Sequence, residues 1–141
     1  MLNHYFIALI TTAITHAVLA CFVIIKGSTR LTNRTYAGYS TAIALWSGVE
    51  AFAITTNNPV KALWLWRFNH IGVIFIPIFF VHFVISLFPG PRRKITKILV
   101  IASYLFGLFF VILDLTGILI KEAVPKFTFN FFINSTPLYP I

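Results

Sequence analysis

Four apolar runs, each close to the length needed to cross a bilayer, constrain this chain more than any other feature. They are Tyr5–Ile25, Thr35–Thr56, Trp66–Phe88 and Ile98–Ile120. A hydrocarbon core takes about 20 apolar residues of helix. The joints "KGSTRLTNR", "NNPVKA" and "PGPRRKITK" carry Gly, Pro, Asn and basic residues, the chemistry of turns. Lipid offers the backbone no hydrogen bonds, so only helices or closed barrels span it, and no strand-like alternation runs through the spans. The expected fold class is therefore all-α: a polytopic integral membrane bundle of four transmembrane helices. Composition agrees, since 59% of the 141 residues are hydrophobic and only 10% charged. Soluble domains carry about a quarter charged residues, and so few charges cannot cover a soluble globule.

The charges that exist are segregated. The formal net charge is +8, but the basic residues stand in short clusters between apolar runs, not in a stripe with interleaved aromatics. That pattern fits positive-inside orientation and not nucleic-acid binding. Lys26, Arg30 and Arg34 mark the first loop, and Arg92, Arg93, Lys94 and Lys97 the third. Both loops are expected to be cytoplasmic, which puts the N-terminus outside. "MLNHYF" lacks the basic start of a signal peptide, so the first run reads as a retained span. The lone Cys21 permits no intrachain disulfide.

This divides the chain into a four-helix transmembrane region, residues 1–120, and an extracytoplasmic segment, residues 121–141. In the latter, "KFTFNFF" alternates Phe127, Phe129 and Phe131, which suits a short strand or an interfacial segment. "STPLYPI" follows on turn residues, as expected of a segment cut before a fifth span. The sequons at Asn33 and Asn134 read as chance occurrences.

Ionisable groups in the spans fall in one layer. At 1.5 Å rise per residue, Glu50 lies about 9 Å inside the outer end of the second run and Asp114 about 8 Å inside that of the fourth. Arg67 and His70 begin the third run at the same edge. Tyr39, Ile43, Trp46, Ser47 and Glu50 share one helical face, and Ser103, Gly107, Phe110 and Asp114 another. Unpaired charge in lipid is costly, so pairing or water is required. In one reading Glu50 pairs with Arg67 and Asp114 with His70, as a structural lock. In the other the four line an outer pocket that takes a ligand or senses protons.

Other chemistry has little material. His70 and His82 are twelve residues apart, about 18 Å along the axis, so they cannot share a haem iron. His16 and His82 are the remaining axial pair to weigh. No phosphate loop, metal-binding His-Glu-x-x-His, nucleophile elbow or Cys-x-x-Cys is present. No cofactor, metal or catalytic residue is assigned, and the chain alone is not read as an enzyme. Pro77, inside the third run, removes one amide donor and crowds the carbonyl of Val73, making it a kink candidate.

Taken together, "ALWSGVEAF" (Ala44–Phe52) and "ALWLWRFNHIGVIFIPIFFVHFVISLF" (Ala62–Phe88) resemble the N-terminal seven-transmembrane region of bacterial sensor histidine kinases. The matching features are Trp46, Gly48, Trp64, Trp66, Arg67, Gly72, Pro77, Phe80 and Phe83. "STPLYPI" is similar to the stretch that precedes the fifth span in such proteins. The resemblance extends from about Tyr5 to the end, over the first four spans only. It implies a membrane-embedded input domain in the bacterial inner membrane, detecting an extracytoplasmic or membrane signal. Its implied partners are the lipid bilayer, further transmembrane helices, a cytoplasmic output domain and, compatibly, a second copy in a homodimer. The rival class is a small membrane subunit stabilising a transporter or respiratory complex.

Overall fold

The structure, a computed structural model, describes residues 2–88, 94–126 and 129–135. Its elements are helices α1 (Leu2–Gly27), α2 (Leu31–Thr55), α3 (Pro59–Leu87) and α4 (Lys94–Leu115), then strands β1 (Ile120–Lys126) and β2 (Phe129–Ser135). The connection at residues 89–93 and the final stretch at 136–141, including most of "STPLYPI", lie outside the described residues, as do Phe127 and Thr128.

Three helices are long and apolar enough to cross a membrane: α1 over His4–Gly27, α3 over Pro59–Leu87 and α4 over Lys94–Leu115. Within each, 11% of the most apolar window is buried in the protein. The rest must therefore meet lipid or other helices. The expected second span is helical and, at 25 residues, about 37 Å long, but it is less apolar than the others. Its buried residues explain why. Thr35, Ala37, Ser40, Ala42, Ser47, Glu50, Ala51 and Ala53 are small or polar and face neighbouring helices, as expected where backbones approach closely in a membrane.

The helices form a row. α2 packs against α1 and α3, and α4 packs chiefly on α3. The tightest seam is α2 on α3. A Cβ at Gly72 would stand 2.8 Å from the Ala42 carbonyl oxygen and 2.8 Å from the Trp46 nitrogen. Beside it, Asn69 Nδ2 donates to the Trp46 carbonyl at 2.7 Å. At the opposite end, Thr32 Oγ1 donates to the Ser86 carbonyl at 3.1 Å.

Two helix boundaries differ most from the sequence expectation. The start of α3 is Pro59, two turns before Trp66. Asn58 Oδ1 accepts from the Lys61 amide at 3.0 Å, and proline opens the first turn, where its missing N–H costs nothing. What read as a turn is a helix cap. α4 ends at Leu115, not Ile120. Gly117, at φ 81°, closes it with Gly117 N–H to the Asp114 carbonyl at 3.0 Å and Ile118 N–H to Leu113 at 3.1 Å. This is a glycine-terminated helix end that an L-residue would strain.

Beyond it the helical fold gains a β-hairpin. β1 and β2 pair antiparallel, with Ala123 opposite Ile133 and Val124 opposite Phe132. A register irregularity falls at Pro125, which has no N–H for the ladder. Ile120, Ala123 and Ile133 are buried against Ala51, Ala53, Ile54, Ala62 and Trp66. The hairpin thus seals the joint between α2 and α3.

Candidate functional site

The hairpin and the helix ends beside it converge around four polar groups. Because α3 starts at Pro59, Arg67 and His70 sit about 12 and 16 Å into that helix, not at its edge. Asp114 is in the last turn of α4, at its end rather than within it. Glu50 remains in the final turns of α2.

His70 and Asp114 meet across the α3–α4 contact, with Nδ1 3.3 Å from Oδ1. Asp114 is 1% exposed and His70 8%. A carboxylate at a helix C-terminus faces the negative end of the dipole, and burial penalises its charge further. The His70 imidazole is the polar group that meets it. Neither Asp114 oxygen has a hydrogen bond of good geometry among the described residues. The contact with His70 is therefore electrostatic more than directional.

Glu50, 8% exposed, does not pair with Arg67: no ion pair joins them among the described residues. Its Oε1 accepts instead from the hydroxyl of Tyr5 on α1. Arg67 is drawn the other way. Its Nη2 donates to the Ile120 carbonyl at 3.3 Å, and its guanidinium lies 5.2 Å from the Trp64 ring centre. A Cβ at Gly117 would come within 3.0 Å of Nη2, so the glycine that ends α4 also makes room for the arginine. One guanidinium nitrogen, Nε, is buried without a hydrogen-bond partner among the described residues.

Trp66 completes the joint between α3 and the hairpin. Its Nε1 donates to the Phe131 carbonyl at 3.2 Å, and its ring stands edge-on to Phe132 with centroids 4.8 Å apart. Asn130 Nδ2 also reaches Asn57 Oδ1 at 2.7 Å. The four sequence-selected residues are thus organised as His70 with Asp114, Glu50 with Tyr5, and Arg67 with the hairpin backbone. Tyr5, and Trp66 as a hairpin anchor, were missed as participants, and neither carries a local signal. Asn69, an amide beside Arg67 and His70 on a lipid-length apolar run, needs a partner and finds it in the Trp46 carbonyl.

The other singled-out groups lie deeper. His82 Nδ1 is 3.0 Å from the Tyr104 hydroxyl on α4, which gives this histidine a protein partner. His16 Nδ1 is buried without a hydrogen-bond partner among the described residues. α3 runs helical through Pro77, whose ring borders an apolar cleft against α4. Among the described residues no three His, Cys, Asp or Glu are gathered as metal ligands.

Comparison with known families places the chain. The family model described as the N-terminal 7TM region of histidine kinase matches residues 8–137. No curated protein and no solved structure matches significantly.

Proposed function

Because the chain belongs to the family of N-terminal 7TM regions of histidine kinases, we propose that it receives a signal at its outer face and passes it on as a change in helix packing. As a multi-pass membrane input region it has no need of catalytic groups of its own. In this reading α2 also crosses the membrane, as a spanning helix beside α1, α3 and α4; the N-terminus and the segment 121–141, which holds nearly all of the hairpin, are extracytoplasmic, and the first and third loops are cytoplasmic. The membrane is the bacterial inner membrane. Lipid, the remaining spans, a cytoplasmic output domain and a second copy of the chain are its partners.

One observation carries the reading: the hairpin backbone is held by Arg67, one helical turn from His70, which holds Asp114. A ligand or membrane state that moves the hairpin therefore acts on the seam between α3 and α4. Signalling of this kind requires different affinities for two packing states. A buried contact between His70 and Asp114 that forms in one state and not in the other supplies that difference, because a buried carboxyl group left without its partner is strongly unfavourable.

The test is made in the full-length kinase, by autophosphorylation in membranes. Asp114→Asn and Glu50→Gln keep the side-chain shape and remove the charge. Asp114→Asn is expected to shift the basal phosphorylation level at least several-fold, and His70→Gln to add little to it in the double variant. Normal insertion with unchanged signalling in both single variants would reduce the cluster to a structural lock.

A further inference from the structure

All three acidic side chains of the chain, Glu50, Asp114 and Glu122, belong to the hairpin end of the molecule. There they are engaged by Tyr5, His70 and Asn134 respectively. The opposite end, where α1 and α3 finish and α2 and α4 begin, carries Lys26, Arg30, Arg34, Lys94 and Lys97. No side-chain carboxylate of the chain lies there to balance them. α4 moreover starts with lysines and has no acidic residue in its first turn, although the N-terminus of a helix favours negative charge.

At this end a cavity of about 240 Å³ opens between the last turns of α3 and the first turns of α4. His82, Thr96 and Lys97 supply its polar lining, and Ile85, Val100 and Ile101 its apolar wall. The hydrogen bond between His82 and Tyr104 joins the two helices beside it. The volume is below the range of pockets that enclose a drug-sized ligand. It suits one small polar group whose remainder lies outside, in lipid. The second cleft between the same helices, about 540 Å³, is bordered by Ile74, Pro77, Ile78, Phe106 and Gly107 and contains no charged residue, so it offers nothing to an anion.

We propose that the cavity at the basic end of α3 and α4 binds the headgroup of an anionic phospholipid. Lys97 is the charge partner and Thr96 a hydroxyl donor to the phosphate. Ile85, Val100 and Ile101 flank the first acyl carbons. Basic pockets between transmembrane helices bind acidic headgroups by this combination of charge and lateral access to lipid. The assignment requires α3 and α4 to lie in a membrane and does not depend on which face is cytoplasmic. It stands or falls separately from the signalling role of the outer cluster.

The purified 141-residue chain, in micelles containing equal phosphatidylglycerol and phosphatidylcholine, tests this by native mass spectrometry of retained lipid. Wild type is expected to retain phosphatidylglycerol preferentially. Lys97→Gln is expected to lower the ratio at least several-fold, through loss of one charge-assisted contact to the phosphate. Lys97 is exposed, so this variant leaves the packing intact. Val100→Trp, which fills the cavity without touching a charge, should lower the ratio as well. Lys94→Gln, outside the cavity lining, and Lys121→Gln, on the hairpin, should leave it nearly unchanged. An equal loss in Lys94→Gln would mean diffuse attraction and overturn the site. So would an unchanged ratio in Lys97→Gln, or an adduct of inorganic phosphate in place of lipid.

Discussion

At Gly72, the α2 backbone occupies the space a side chain would need, and both nearest atoms are main-chain. A flexible neighbour could yield; the Ala42 carbonyl and the Trp46 amide cannot move without displacing α2. Gly72→Ala is therefore expected to cost about 1–3 kcal/mol, the usual range for overpacking, and to weaken the Asn69–Trp46 bond alongside it. Reversible unfolding in mixed micelles measures the cost. Gly38→Ala is the comparison, since the atoms it would meet belong to the Phe79 ring, which can rotate away, and its loss should be smaller. The same positions show how far single residues can be read in advance. The faces carrying Ile43, Ser47 and Glu50 on α2 and Gly107 and Asp114 on α4 follow from helical spacing, and these residues are buried. The partners do not follow from spacing. Tyr5 and Glu50 are 45 positions apart, and their meeting depends on how α1 lies against α2.

Among the elements, the hairpin is the one whose attachment matters most. Its apolar side is buried on α2 and α3, and the Trp66 indole is a polar tie to its second strand. Trp66→Phe keeps an aromatic ring near Phe132 and deletes the N–H, leaving the Phe131 carbonyl short of one donor. A hydrogen bond of this kind is worth about 1 kcal/mol. Amide exchange over residues 120–135 is expected to quicken roughly fivefold, while the interior of α2 stays protected. Equal exchange in the variant would show that apolar burial alone holds the hairpin. The alternation of aromatics suited a short strand or an interfacial segment here, and the strand's partner was concealed. Ile118–Ile120 continues the apolar character of the fourth run, and only the left-handed backbone at Gly117 ends the helix before it. Likewise, Asn58 and Pro59 read equally as turn or cap, and the choice placed Arg67 and His70 two turns deeper than the apolar run alone suggests.

On the scale of the whole molecule, the row of helices leaves α4 held mainly by α3 and α2 covered on two sides. The positions of small residues made this partly legible, since a helix rich in Ala, Ser, Thr and Gly is built for close neighbours. The sequence does not reveal that the row stays open. That depends on which apolar faces remain unmatched, such as Leu105, Phe106 and Phe109 on α4, each more than half exposed. The makeup of α2 also bears on biogenesis. In the proposed topology, where α2 also spans, a segment whose polar groups find their partners on α1 and α3 has little reason to enter lipid alone, so it should be inserted as one of a pair. Chains stopped after Thr55 and after Phe88, each fused to a compartment-sensitive reporter, distinguish the cases. The shorter chain is expected to leave α2 inefficiently integrated, and the longer to integrate it nearly fully, because Asn69 and Gly72 arrive with α3. Equal integration at both lengths would mean that α2 enters unaided. The order of synthesis would then become part of the folding mechanism: a helix made second would be committed to the membrane only when the third emerges.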